Sequence, residues 1–309
     1  ALCTSRREDM NISLEDFKHY VLLRRDAFES KYGLKDIPKK KLVLERRHYP
    51  NNLRYLDATS QILIRTLNNH PVPLRDKLLT VFVYRMVGDK VIVRRYANKK
   101  GVYTLKELEQ LAKRLDSEKV KLMNRYATPL IKTGITGLKK GEFLLASACD
   151  FLDKLPPDNF YRWKTSEIAR QFVEFENVYG ISYAMASQFA SDISYINELE
   201  VRIDFIKTVP EKVREMYSMI MNTNFRVEKY EKFTKEIMDW YIQQDFLDNK
   251  ERLIVPQDVT QMLLGYRYFV MGTGGVLFRF RTPKKAKSRI GGIVIARSMY
   301  DYYKDNMGS

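Results

Sequence analysis

The sequence predicts a mainly α-helical fold with a small irregular or β element near the C-terminus. Three observations predict it. Apolar residues recur every three or four positions through most of the 309 residues. Helix-start signals precede several of those stretches. Paired glycines and short β-branched runs mark the last forty residues or so.

The elements follow in order. Residues 12–32 read as an amphipathic helix, with Leu14, Phe17, Val21 and Phe28 at helical spacing and Ser13 with Asp16 to start it. A basic run follows: Lys39, Lys40, Lys41, Arg46 and Arg47. Residues 51–69 carry Leu53, Leu56, Ile62, Leu63 and Leu67 at helical period, and Pro71 and Pro73 stop them. Residues 74–87 read as a buried helix, and 104–116 as a helix opened by a Thr104–Glu107 capping pattern. Gly134, Gly137 and Gly141 mark a loop. Two helices, 142–155 and 165–177, flank Pro156-Pro157. A turn at Asn177–Gly180 leads into a helix from Ser182 to Tyr195, and 210–248 gives two polar-rich helices. The stretch 270–303 reads as a hairpin or irregular cover. No repeat or flexible linker interrupts the chain, so the expectation is one domain over 1–309, or two packed lobes of about 1–130 and 131–309.

Composition narrows function. Lys and Arg number 54 against 38 Asp and Glu, a surplus of 16, while 45% of residues are apolar. A folded, strongly basic protein points to a polyanionic partner. Two cysteines and three histidines leave no disulfide framework, zinc cluster or Ser-His-Asp set to argue from. No apolar run approaches the roughly 20 residues of a membrane helix, so no membrane partner is expected. A G-x-x-x-x-G-K-[ST] sequence is absent, which removes a P-loop kinase. Acid–base work would then fall to carboxylates.

Four segments stand out. Asn51, Arg54 and Asp57 are three apart, a spacing that places an amide, a guanidinium and a carboxylate along one helix face, to orient a base or phosphate or to form a solvated ion pair. Residues 178–192 have a helix-hairpin-helix pattern. Gly180 allows close backbone approach, and the next helix offers free N–H groups to a DNA phosphate, with Ser182 in place of the usual second glycine. Gln188 and Asp192 share one face of that helix, while Ala186, Phe189 and Ile193 face inward. Gly272-Thr273-Gly274-Gly275 is either an anion-binding nest or a tight turn. Arg279 to Arg289 holds Arg279, Arg281, Lys284 and Lys285 among its basic residues and no acid, a backbone contact or a solvated loop.

Taken in order, these segments resemble the phage thymine-hypermodification family. That family comprises the helical domain of 5-hydroxymethyluracil DNA kinases and the related α-glutamyl/putrescinyl-thymine pyrophosphorylases, or amino-acid:DNA transferases. Phe17, Tyr20, Arg24, Lys31 and Gly33 fit its opening helix, and Tyr49, Asn51, Arg54, Leu56 and Asp57 its next element. Tyr84 and Arg85 fit an aromatic-Arg pair closing a buried helix. Gly180, Ile181, Ala186, Gln188, Ala190, Asp192 and Ile193 fit a G-I-G-P-F-x-A-x-Q-x-A-x-D-L element, and Gly272 to Gly275 a late glycine loop. The family's Pro-Trp-Thr before the second element and its C-terminal cysteine element have no counterpart.

The resemblance implies a fold like that of helix-hairpin-helix DNA glycosylases, and DNA with a modified thymine as substrate. The location it implies is the cytoplasm of an infected bacterial host. With no P-loop, the implied step is transfer: an amine or amino acid displaces pyrophosphate from the activated 5-hydroxymethyl group of a flipped base. Asp192, then Asp57, would serve as base. Arg54, Arg85 or the glycine loop would stabilise the leaving group, with Tyr84 beside the substrate. Gln188 and Asn51 would read the base edge or hold the amine. Gly180, Ser182, Gly272, Gly274, Gly275, Arg279, Arg281, Lys284 and Lys285 would meet DNA phosphates. No cofactor is expected, although a magnesium ion could accompany the pyrophosphate. A glycosylase-like excision enzyme and a non-catalytic nucleic-acid-binding protein are the competing expectations.

Overall fold

A computed structural model describes residues 12–31, 52–87, 90–117, 139–153, 162–172, 183–245, 253–271 and 294–307. Among these the chain forms twelve α-helices and no extended strand, in line with the mainly α expectation. Chain contacts divide the protein into two units. The first comprises 1–54 with 209–292, and the second 55–208 with 293–309. The division falls near residues 54 and 208, not near 130, because the chain leaves the first unit early and returns to it late.

The first unit is built on α1 (Leu14–Lys31), α9 (Glu211–Met221), α10 (Val227–Ile242) and α11 (Pro256–Val270). The numbering of α2 to α8 belongs to the second unit. Helix α1 starts where the sequence predicts: the Ser13 hydroxyl accepts the Asp16 N–H at 3.1 Å, and the Asp16 carboxylate accepts the Ser13 N–H at 3.2 Å. Its apolar stripe meets aromatic residues. Phe17 lies 5.5 Å from Tyr266, and Tyr20 lies 5.3 Å from Tyr266 and 5.2 Å from Phe269. Tyr217 of α9 stands edge-on to Tyr230 and Phe233 of α10, at 5.4 and 5.2 Å. This is a core of rings, in which Tyr230 finds Thr260 for its hydroxyl at 3.0 Å.

Helix α11 is absent from the sequence expectations. Its start is nonetheless well specified. Pro256 occupies the first turn, where no N–H is needed, and Asp258 turns back to accept the Val255 N–H at 2.9 Å.

The second unit holds α2 (Ala58–Asn68), α3 (Leu74–Met86), α4 (Lys90–Tyr96), α5 (Leu105–Ser117), α6 (Lys140–Asp153), α7 (Thr165–Arg170), α8 (Tyr183–Ile193) and α12 (Arg297–Met307). Its centre is a phenylalanine cluster. Phe82 of α3 stacks on Phe189 of α8 at 5.7 Å and lies 5.0 Å from Phe151 of α6. Phe151 in turn lies 5.2 Å from Phe172. The predicted cap of α5 is present: both the N–H and the hydroxyl of Thr104 donate to the Glu107 carboxylate. Burial alone would raise the Glu107 carboxyl, but these bonds favour its charged form and hold it below the usual range.

Two expectations are corrected. The first is the long helix over 51–69. A short 3-10 turn spans Arg54–Leu56, and the α-helix begins only at Ala58, with Asp57 extended at its N-cap. Asp57 therefore starts a helix and does not lie within one, so Arg54 and Asp57 are not on a common α-helical face. The second is the irregular cover over 270–303. Its last residues belong to a helix, α12, whose polar, aromatic sequence RSMYDYYKDNM has no glycine or β-branched residue to oppose it. Residues 272–293, which contain the glycine pairs, lie outside the described residues.

Candidate functional site

Arg85 and Asp192, singled out on different motifs, meet in the second unit. Arg85 occupies the last turn of α3 and Asp192 the last turn of α8. The guanidinium places both Nε and Nη2 2.6 Å from Asp192 Oδ2. The Asp192 side chain is 0% exposed and that of Arg85 14% exposed. Helical period within each helix aligns the pair once the helices pack. Phe82 lies three residues before Arg85 and Phe189 three before Asp192, so the stacked rings form one rung and the ion pair the next.

The position of Asp192 is electrostatically unfavourable on its own. A helix C-terminus carries partial negative charge, which repels a carboxylate. Burial adds a desolvation cost. The Arg85 cation offsets both. A residue that breaks two local rules and is held by one specific partner is the kind of exception found at functional sites. Gln188 lies one turn before Asp192 on the same face of α8 and is half-buried. The geometry thus brings together an amide, a carboxylate and a cation that retains a share of exposure.

Other candidates lie elsewhere. Tyr84 is buried, and its hydroxyl donates to the Gly101 carbonyl at 3.4 Å, in the turn between α4 and α5. Burial pushes its phenol above the ordinary value, so it stays a neutral donor. Arg54 belongs to the first unit and is 5% exposed, with its backbone N–H donating to Asp258 Oδ1 at 2.7 Å. Asp57 is half-buried at the start of α2. Asn51, Gly180, Ser182, Gly272, Gly274, Gly275, Arg279, Arg281, Lys284 and Lys285 lie outside the described residues.

Two constellations escaped the sequence analysis. Asp258 is fully buried and spans two backbone donors, Arg54 and Val255. Its signal was the Val-Pro-Gln-Asp start of α11. Asp204 receives the Thr165 hydroxyl at 2.9 Å, the Ser166 N–H at 2.8 Å and the Ser166 hydroxyl at 2.5 Å. It caps α7 from 38 residues away in sequence, and no local pattern announces that. Both carboxylates satisfy helix-terminal donors, a structural task.

Among the described residues no group of three or more His, Cys, Asp or Glu side chains gathers to hold a metal ion. No helix among them is long and apolar enough to cross a membrane. Comparison with family models, with curated proteins and with solved structures finds no match to this chain.

Proposed function

We propose that this protein is a DNA base-hypermodification transferase, in which an amine displaces pyrophosphate from an activated 5-hydroxymethyluracil. The buried Arg85–Asp192 pair carries the reading, supported by the ordered motifs that resemble the thymine-hypermodification family. The amine nitrogen attacks the C5-methylene carbon, and the carbon–oxygen bond to pyrophosphate breaks. The leaving group departs with the electron pair, and the new ammonium loses a proton to a carboxylate. Arg85 stabilises the departing pyrophosphate, the largest negative charge to develop. Asp192 acts through Arg85 as a positioning residue, because its Oδ2 already accepts the Arg85 Nε–H and has Nη2 in ionic contact. Gln188, on the same face, reads the base edge. Asp57 is the carboxylate left to act as base, and a magnesium ion on the pyrophosphate is compatible with the chemistry.

The test is incubation with DNA carrying pyrophosphorylated hydroxymethyluracil and a panel of amines, followed by nucleoside mass spectrometry. A heavier base is expected, whereas an abasic site would instead favour a glycosylase. Added pyrophosphate should inhibit the parent protein and inhibit Arg85→Gln less. A protein that changes no nucleoside under any of these conditions is not this transferase. The surplus of 16 cations favours one further reading, a non-catalytic nucleic-acid-binding protein. In that case DNA binding persists with no chemistry, and Gln188→Ala leaves function intact.

A further inference from the structure

From Lys90 to Lys106 the chain carries six basic residues (Lys90, Arg94, Arg95, Lys99, Lys100 and Lys106) and no acidic one. Arg94, Arg95, Lys99, Lys100 and Lys106 are exposed. Among the described residues no carboxylate forms an ion pair with any of these five. Among the described residues the acids nearby are Asp76 of α3, which is half-buried, and those of α5. Glu107 is turned back onto Thr104, and Glu109 is exposed one turn past Lys106. The four cations before α5 therefore form an unneutralised ridge.

The ridge is also rigid. Asn98 organises the turn between α4 and α5: its Oδ1 accepts the Lys100 N–H at 2.9 Å and the Val102 N–H at 3.0 Å. Its backbone N–H donates to the Val102 carbonyl at 3.0 Å, and its carbonyl accepts the Gly101 N–H at 2.8 Å. Gly101 sits at φ +78°, and a Cβ there would come 3.3 Å from Thr66 Oγ1. Lys99 and Lys100 are thus presented on a backbone that loses little entropy on binding.

We propose that this turn and the last turn of α4 form a docking ridge for the phosphate backbone of duplex DNA. The inference rests on the nucleic-acid part of the proposed function and assigns that role to a surface that holds none of the residues carrying the resemblance. Chemistry selects the partner. Single strands are held largely by stacking, but Tyr103 is fully buried with its hydroxyl on the Val93 carbonyl, and Tyr96 is half-buried. A membrane surface requires a broad apolar face to insert, whereas only Val91 and Leu105 are exposed apolar side chains here. What remains is fixed positive charge, suited to a regular array of phosphates.

The test is titration of a labelled DNA duplex at several salt concentrations, read by fluorescence anisotropy. Arg94→Ala/Arg95→Ala/Lys99→Ala/Lys100→Ala should weaken binding about 100-fold near 0.1 M salt and lower the log–log salt slope by about 3 to 4. Lys99→Ala/Lys100→Ala should lower it by about 2 and guards against misfolding of the fourfold variant, with circular dichroism on both. Lys212→Ala/Lys229→Ala/Lys232→Ala/Lys235→Ala removes the same charge from exposed positions of the first unit and should bind nearly as the parent does. Parent-like binding by both ridge variants overturns the ridge. So does an equal loss in the first-unit control, or stronger binding to phosphatidylserine vesicles than to DNA. A parent protein that does not bind duplex DNA overturns both this inference and the function it rests on.

Discussion

Among the described residues, Asp258 of the first unit and Asp192 of the second are both fully buried, and the two do opposite things. In the first unit, Asp258 accepts backbone N–H groups from Arg54 and Val255, so its charge is spent fixing the chain. In the second, Asp192 meets a side-chain cation, Arg85, which retains partial exposure. Residue type and burial are the same in both. The partner decides whether a buried charge is a staple for the backbone or a mount for a functional group. The cores differ in the same sense: linked tyrosines and phenylalanines in the first unit, and in the second a phenylalanine stack ending in an ion pair.

The largest expected effect comes from breaking the pair on one side. Arg85→Ala strands an uncompensated buried charge on Asp192 and should cost about 3–5 kcal/mol, read by urea denaturation. Asp258→Ala should cost roughly 2–3 kcal/mol, because two buried N–H groups lose a charged acceptor. The comparison sharpens if both partners are replaced together. Arg85→Met with Asp192→Leu should be less destabilising than either single change, yet abolish transfer, since apolar pairs can substitute for buried ion pairs in stability alone. A double-variant loss equal to the sum of the two single losses would mean that the pair contributes nothing as a pair.

A pH titration probes the buried phenols, which include Tyr84 and Tyr103 of the second unit. Burial pushes the Tyr230 and Tyr266 phenols from 10.0 up to about 12. Raised values mean that folding favours the neutral phenol. Their contribution is whole below pH 10 and declines as pH rises towards 12. Alkaline unfolding should start in that window, and Tyr230→Phe should flatten it. The smallest effect is Glu107→Gln, which removes the charged acceptor of the α5 cap and should cost about 1 kcal/mol at neutral pH. Glu107 is held below its usual value, so its contribution fades as acidification protonates it, and parent and variant should converge in acid.

Helices with a strong period and a capping residue were legible from sequence: α1 with Ser13 and Asp16, and α5 with Thr104 and Glu107. Three features were not. Helix α11 has its start signal in Pro256 and Asp258, but it follows a polar stretch and precedes glycines that draw attention to the loop. The 54–57 segment has helical spacing, yet Asp57 prefers the N-cap, and a short polar side chain there ends the period. Helix α12 was obscured by the β-branched run before it. For the site, Arg85 and Asp192 could each be singled out locally, but their meeting across 107 residues is a product of packing. The ridge at 94–100 was present in the charge pattern, and what the structure adds is that its cations are exposed and its turn locked.

The discontinuous course of the chain has a consequence for how the protein is made on the ribosome. Residues 1–54 belong with 209–292, so α1 emerges long before α10 and α11 exist to receive Phe17 and Tyr20. During that interval the apolar stripe of α1 has no native cover, while most of the second unit is already synthesised. The second unit is closed only after residues 209–292 have been made, when Ser298 reaches the Ser194 carbonyl and the Arg297 N–H reaches Asn197. Translation order thus sets a window of exposure for the nascent chain, one that a trigger-type chaperone or a slower elongation rate would lengthen or shield.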